Sequence, residues 1–148
     1  MNAEQIRNME AGRELDALVA ERVMGRKWYT MVTPGGERSM MHEPGHVLIY
    51  LTEKYGLVPG RTEIGFVDMS SIPAYSTDIG AAWEVVERLL EMGHYFSLHP
   101  NCFYQPPVWG VHLDVLGVVR ANTLPLAVCR AALAIWRAEL LALMEAKS

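Results

Sequence analysis

The chain has 148 residues, 51% of them hydrophobic and 20% charged, with 13 Lys and Arg against 17 Asp and Glu for a formal net charge of −4. That size suits one domain with its own core, and the charge disfavours a general nucleic-acid binder, which needs a basic surface to displace counterions; a local basic pocket stays open. Two cysteines, Cys102 and Cys129, are too few for a disulfide framework and are expected as reduced thiols in a cytoplasm. The opening stretch MNAEQIRNMEAGRELD is polar and acidic, unlike a signal peptide. No apolar run approaches the roughly 18 residues that would span a bilayer.

In chain order, GRELDALVAERVMG predicts a first helix. Leu15, Leu18, Val19 and Val23 recur at helical spacing, and Gly25 is a natural stop. RKWYTMV then reads as a strand. The stretch from Pro34 to Pro73 is rich in Gly, Pro and Met, too long for a plain loop, and reads as an elaboration of the domain. Within it VLIYLTEKYG suits a strand or a short helix, and RTEIGFVDM suits a strand. STDIGAAWEVVERLLEMG predicts a second helix. Ser76 or Thr77 can cap it, Asp78 suits the positive end of its dipole, and Ile79, Trp83, Val86 and Leu90 form its apolar stripe. HYFSLHP, VWGVHLDV and GVVRA read as strands. NTLPLAVCRAALAIWRAELLALMEAK predicts a third helix, capped by Asn122 or Thr123. Its apolar face holds Leu126, Cys129, Leu133, Trp136, Leu140 and Leu143. The order fits a single α+β domain, a mostly antiparallel sheet with three main helices on its faces.

HEPGH, from His42 to His46, fits the H-E-x-x-H pattern of zinc proteases. That chemistry needs both imidazoles on one helix face, one turn apart, with the glutamate reaching a zinc-bound water. Pro44 inside a helix costs about 3 kcal/mol and Gly45 roughly 1 kcal/mol relative to alanine. The expected structure is a turn with the histidines pointing apart. Glu63 is the formal third ligand by spacing, with His94, His99 and His112 also available, but no metal and no cofactor are expected.

GRELDALVAERVMG, YSTDIGAAWEVVERL and TLPLAVCRAAL, taken together and in this order, resemble the phage α-β-α sandwich (phage ABA sandwich) domain family. The resemblance implies an α-β-α sandwich fold and a phage or prophage origin, and with it the host-cell cytoplasm. It implies no reaction, since the family is largely of unknown function. The stretch from Pro34 to Pro73 departs from the family pattern.

Candidate ligand-binding residues are few. Arg13 opens the first helix and Arg120 ends a strand. Arg130 interrupts LAVCRAALAIW, where it must snorkel, pair with a carboxylate or face a pocket. Ser76 and Thr77, at a helix start, can cap it or bind a phosphate. Tyr104 and Trp109, with Phe103, lie in NCFYQPPVW and can stack a nucleobase or form an interface. Cys129 reads as core. These residues point to a non-enzymatic binding protein. Its specific form is counter-defence, by sequestering a nucleotide-derived immune messenger such as a small cyclic nucleotide or an ADP-ribose-type ligand. The alternatives are a host-protein inhibitor or structural phage accessory protein, and the HEPGH metallohydrolase. The many apolar residues predict a homo-oligomer.

Overall fold

In the computed structural model, residues 1–43, 45–101, 105, 108–114 and 116–148 are described, His46 and Val47 by their backbone alone. A short helix that the apolar pattern does not announce comes first, α1 (Ala3–Asn8). Asn2 accepts from the Gln5 backbone, and Gln5 accepts from the Asn2 backbone, a reciprocal capping box. Ile6 is its buried residue. Next is α2 (Arg13–Arg22), with Leu15, Val19 and the following Val23 buried as the spacing predicts. Gly25 ends it at φ 71°, where the Arg26 N–H donates back to the Ala20 carbonyl at 2.9 Å.

Two sheets replace the one expected. β1 (Lys27–Thr33) and β2 (Gly36–His42) form a hairpin across the Pro34-Gly35 turn. β2 runs inside the stretch read as elaboration. After it, α3 (His46–Tyr55) settles VLIYLTEKYG as helix, closed by Gly56 at φ 63°. β3 (Val58–Pro59) pairs antiparallel with β1, and β4 (Phe66–Val67) pairs parallel with β2. RTEIGFVDM therefore supplies only a two-residue strand. A 3-10 turn, Met69–Ser71, follows. The second sheet is an antiparallel meander of β5 (Phe96–Asn101), β6 (Val108–Leu113) and β7 (Gly117–Ala121).

α4 (Ile79–Glu91) is capped by Asp78, which accepts from Ala81 N; neither Ser76 nor Thr77 does this. Its buried residues are Ala82, Val85, Val86 and Leu89, whereas Ile79, Trp83 and Leu90 are about half exposed. Val86 is buried as predicted, but the other three predicted positions are not, and the rest of the buried face lies one position away, about 100° around the helix. The reason is packing. α4 lies against α5 (Leu124–Ala146), whose Ala127, Ala131 and Ala132 are fully buried, and two helices meet closely where the residues are small. α5 is capped by Thr123, with Pro125 in its first turn. It also packs against α1, α2, β6 and β7. Its first half is therefore buried almost all round, while Leu140, Leu141, Leu143 and Met144 run out into solvent. The predicted face holds through Leu126, Cys129 and Leu133, is partly buried at Trp136 and is exposed beyond it. No helix of the described residues is long and apolar enough to cross a membrane.

This burial separates two substitutions. Leu133→Ala, at 0% exposure, should cost about 2–5 kcal/mol, and Trp83→Ala, at 50%, under about 1 kcal/mol. Urea denaturation of both variants measures this. A larger loss at Trp83 would mean that α4 is turned the other way.

Candidate functional site

The residues singled out in the sequence do not converge. Arg13 donates to Asp16 at 3.1 Å, to the Ile72 carbonyl at 2.5 Å and to the Met69 carbonyl. Asp16 is 1% exposed and also accepts from the Ser76 backbone and hydroxyl, both at 2.7 Å. The Ser76 hydroxyl oxygen in turn accepts from the Gly12 N–H at 2.9 Å. Ser76 is fully buried, so it cannot meet a phosphate; Thr77 is exposed beside it. Arg130 donates from Nε and NH2 to the Met9 carbonyl, at 2.8 and 2.6 Å, and from NH1 to the Arg120 carbonyl at 3.0 Å. Backbone carbonyls, rather than a carboxylate or a ligand, use its donors. Arg120 and Trp109 lie on opposite faces of the second sheet, because Arg120 pairs with Gly110 and Trp109 with Ala121. Trp109 packs against the core and cannot stack a base beside Arg120. Tyr104 and Phe103 lie outside the described residues.

HEPGH is split between two elements. His42 ends β2 and His46 opens α3, so the two are not a turn apart on one helix. Glu43 is tied to Arg26 at 2.7 Å. His42 Nε2 is buried without a hydrogen-bond partner among the described residues. Burial first, and the Arg26 charge second, hold its pKa below the usual imidazole value. The described residues contain no group of three His, Cys, Asp or Glu able to hold a metal ion. The Cys129 thiol is buried, and burial with the nearby Asp16 charge pushes its pKa far above the thiol range.

A different set of cations does converge. Arg22, Arg26, Lys27 and Arg61 line a concavity of about 530 Å³ with Glu21, Gly25, Trp28, Pro59 and Gly60. Local backbone chemistry builds it. The Gly25 turn brings Arg26 and Lys27 straight out of α2 into β1. The Gly60 N–H donates to the Trp28 carbonyl at 2.9 Å, and Thr30 Oγ1 donates to the Gly60 carbonyl at 2.7 Å, which carries Arg61 alongside. Gly60 has φ 112°, a conformation that a side chain would strain. Trp28 is buried, and the Arg61 guanidinium lies over its ring at 5.2 Å; Arg22 lies over Trp136 at 5.1 Å. Two of the four charges are partly compensated, Arg26 by Glu43 and Arg61 by Glu14 at 4.0 Å. Among the described residues, neither Arg22 nor Lys27 has an ion-pair partner. A volume of this size admits a small phosphorylated molecule.

Residues 17–133 match the phage ABA sandwich domain. The chain belongs to the phage ABA sandwich domain family. The matched range runs from α2 into α5 and spans both sheets. A phage protein from Bacillus cereus ATCC 14579, solved by crystallography, is similar over 85% of this chain and 86% of its own, at 23% sequence identity and a TM-score of 0.45. No curated protein matches the chain. Two short runs, GRK at Gly25–Lys27 and PGR at Pro59–Arg61, carry the basic concavity of this phage ABA sandwich chain. Each joins a glycine to cations, and that was the available signal. Nothing in either run says that the two meet.

Asp16→Ala would leave Arg13 and the Ser76 donors without their acceptor. It should destabilise the fold by about 1–3 kcal/mol, the cost of leaving the buried Ser76 donors unsatisfied, since Arg13 is partly exposed and keeps its carbonyl acceptors. Chemical denaturation reads the effect, and a loss under about 1 kcal/mol would show that the site is open to water.

Proposed function

We propose that this phage ABA sandwich protein is a non-enzymatic binding protein for a phosphorylated small molecule, held at the concavity between α2 and the β1–β3 edge. The observation that carries the reading is the meeting of Arg22, Arg26, Lys27 and Arg61 around one hollow in a chain of net charge −4. An acidic chain offers no general attraction to phosphate, so binding must come from a few placed cations. Arg22 and Lys27 meet phosphate oxygens directly. Arg61, whose guanidinium lies over Trp28, offers a planar group on which a base can stack. In its specific form the ligand is a nucleotide-derived immune messenger, a small cyclic nucleotide or an ADP-ribose-type molecule, sequestered in the infected cell. The phage family supports that setting, and the ligand leaves unchanged.

Calorimetry against cyclic nucleotides and cyclic ADP-ribose isomers tests this, followed by chromatography of the recovered ligand. Lys27→Ala and Arg22→Ala should each weaken binding by about 1.5–3 kcal/mol, the scale of a charge-assisted hydrogen bond, while Arg120→Ala should leave it unchanged. No binding across the panel sinks the reading, and a cleaved product moves the protein among enzymes.

A second reading, contact with a host protein or with another copy of the chain, is favoured by the exposed Ile79, Trp83 and Leu90 on α4. Self-association predicts a dimer in sedimentation at micromolar concentration that Trp83→Glu dissociates. A monomer for the unaltered chain refutes it.

A further inference from the structure

The outward face of the second sheet carries a cluster that the proposed binding site does not use. Strand alternation places Ser97 and His99 of β5, Gly110 and His112 of β6, and Val118 and Arg120 of β7 on this face. Ser97, His99, His112 and Arg120 are exposed. Ser97 is opposite His112, and His99 is opposite Gly110, so the two imidazoles sit diagonally on neighbouring strands. Gly110 lies between His99 and Arg120, and the space its missing side chain would take is edged by Val118 Cγ1 at 3.3 Å and His112 Nε2 at 3.7 Å. The result is a depression of about 490 Å³ lined by His99, Asn101, Gly110, His112, Val118 and Arg120.

The His99 and His112 rings meet edge to face, with centroids 4.5 Å apart and planes at 71°. His99 Nε2 lies 2.9 Å from Ser97 Oγ. We propose that His99 and His112 form a two-imidazole site for a divalent first-row transition-metal ion, its other positions filled by water or a small anion.

Three features carry the proposal. The spacing suits one ion held by both rings. A metal–nitrogen bond of about 2.0–2.1 Å puts each ring centre about 3.2 Å from the ion; two such rings at a right angle lie about 4.5 Å apart, and at a tetrahedral angle about 5.2 Å. The observed centroid separation of 4.5 Å equals that of the right-angled arrangement, the one in tetragonal nitrogen sites preferred by nickel and copper. Ser97 serves as an orienting partner. In the tautomer that donates Nε2–H to the hydroxyl, the lone pair of His99 is on Nδ1 and the ring orientation is fixed, as for metal-bound histidines generally. Arg120 lines the same depression and is the natural partner of an anionic co-ligand on the ion.

Titration of tag-free protein with nickel tests the site, with zinc as comparator. One nickel ion should bind per chain, more tightly than zinc. His99→Ala and His112→Ala should each weaken nickel binding by about tenfold or more, because a single imidazole is a poor chelator. His42→Ala should leave it intact. In NMR spectra the ring signals of His99 and His112 should broaden first as nickel is added, a readout independent of affinity. Circular dichroism confirms that the variants fold. No saturable nickel binding below millimolar concentration overturns the proposal. So does binding that survives His99→Ala combined with His112→Ala, or broadening that begins at His42 or His94.

Discussion

A buried carboxylate organises the middle of this molecule. Asp16 is almost inaccessible to water, and a lone charge in that position would cost far more than the fold could recover. It is retained because three donors from separate parts of the chain surround it: the Arg13 guanidinium, the Ser76 N–H and the Ser76 hydroxyl. Arg13 in turn ties up the carbonyls of Met69, which opens the 3-10 turn, and of Ile72, which follows it. One side chain on α2 therefore fixes the 3-10 turn, the turn before α4 and the start of α2 itself. Replacing such a group with apolar residues can be neutral in other proteins, so its value here is read as positional.

That position matters at the other end of α2. With the helix pinned at Asp16, its last turn and the Gly25 reversal are held against the start of β1. Arg26 is the inner cation of the concavity. It is mostly buried and held by Glu43, and its charge reaches His42 and the buried Tyr75 hydroxyl. Arg61 comes from the far side of β1 by way of β3. Cations from three places can then face one hollow while the chain as a whole stays acidic. Net charge describes the far field and placement describes the near one.

Periodicity made much of the fold legible and most of the site illegible, for one reason. Apolar spacing reports which residues leave water within an element, so α2, α4, α5 and the three strands of the second sheet could be placed. It missed α1, which has one buried apolar residue and is carried by its capping box. It also missed β2, whose sequence GERSMMH holds no β-branched or aromatic residue and gains its place from pairing with β1. On α4 the bulky residues marked the wrong face, because the close contact with α5 is made through alanine. The site fared worse, since it depends on tertiary proximity. Arg13, Arg130 and Ser76 are conspicuous in the sequence because they are polar in apolar surroundings, and that same setting makes the fold satisfy them internally. Arg22, Lys27 and Arg61 are inconspicuous surface cations, and only the meeting of α2 with the β1–β3 edge brings them together.

The same logic weighs on chemistry versus binding. Catalysis needs a nucleophile or base that is reactive, accessible and aimed. The groups that could serve are tied into the architecture: Cys129 is buried as a neutral thiol, Asp16 is satisfied on every side, and Glu43 holds Arg26. His42 is buried without a partner, and the helix that H-E-x-x-H chemistry requires is replaced by a strand end and a helix start. Two imidazoles, by contrast, line solvent-facing hollows beside a partner: His99 Nε2 lies 2.9 Å from Ser97 Oγ, and His94 Nε2 lies 2.7 Å from Glu139 Oε1.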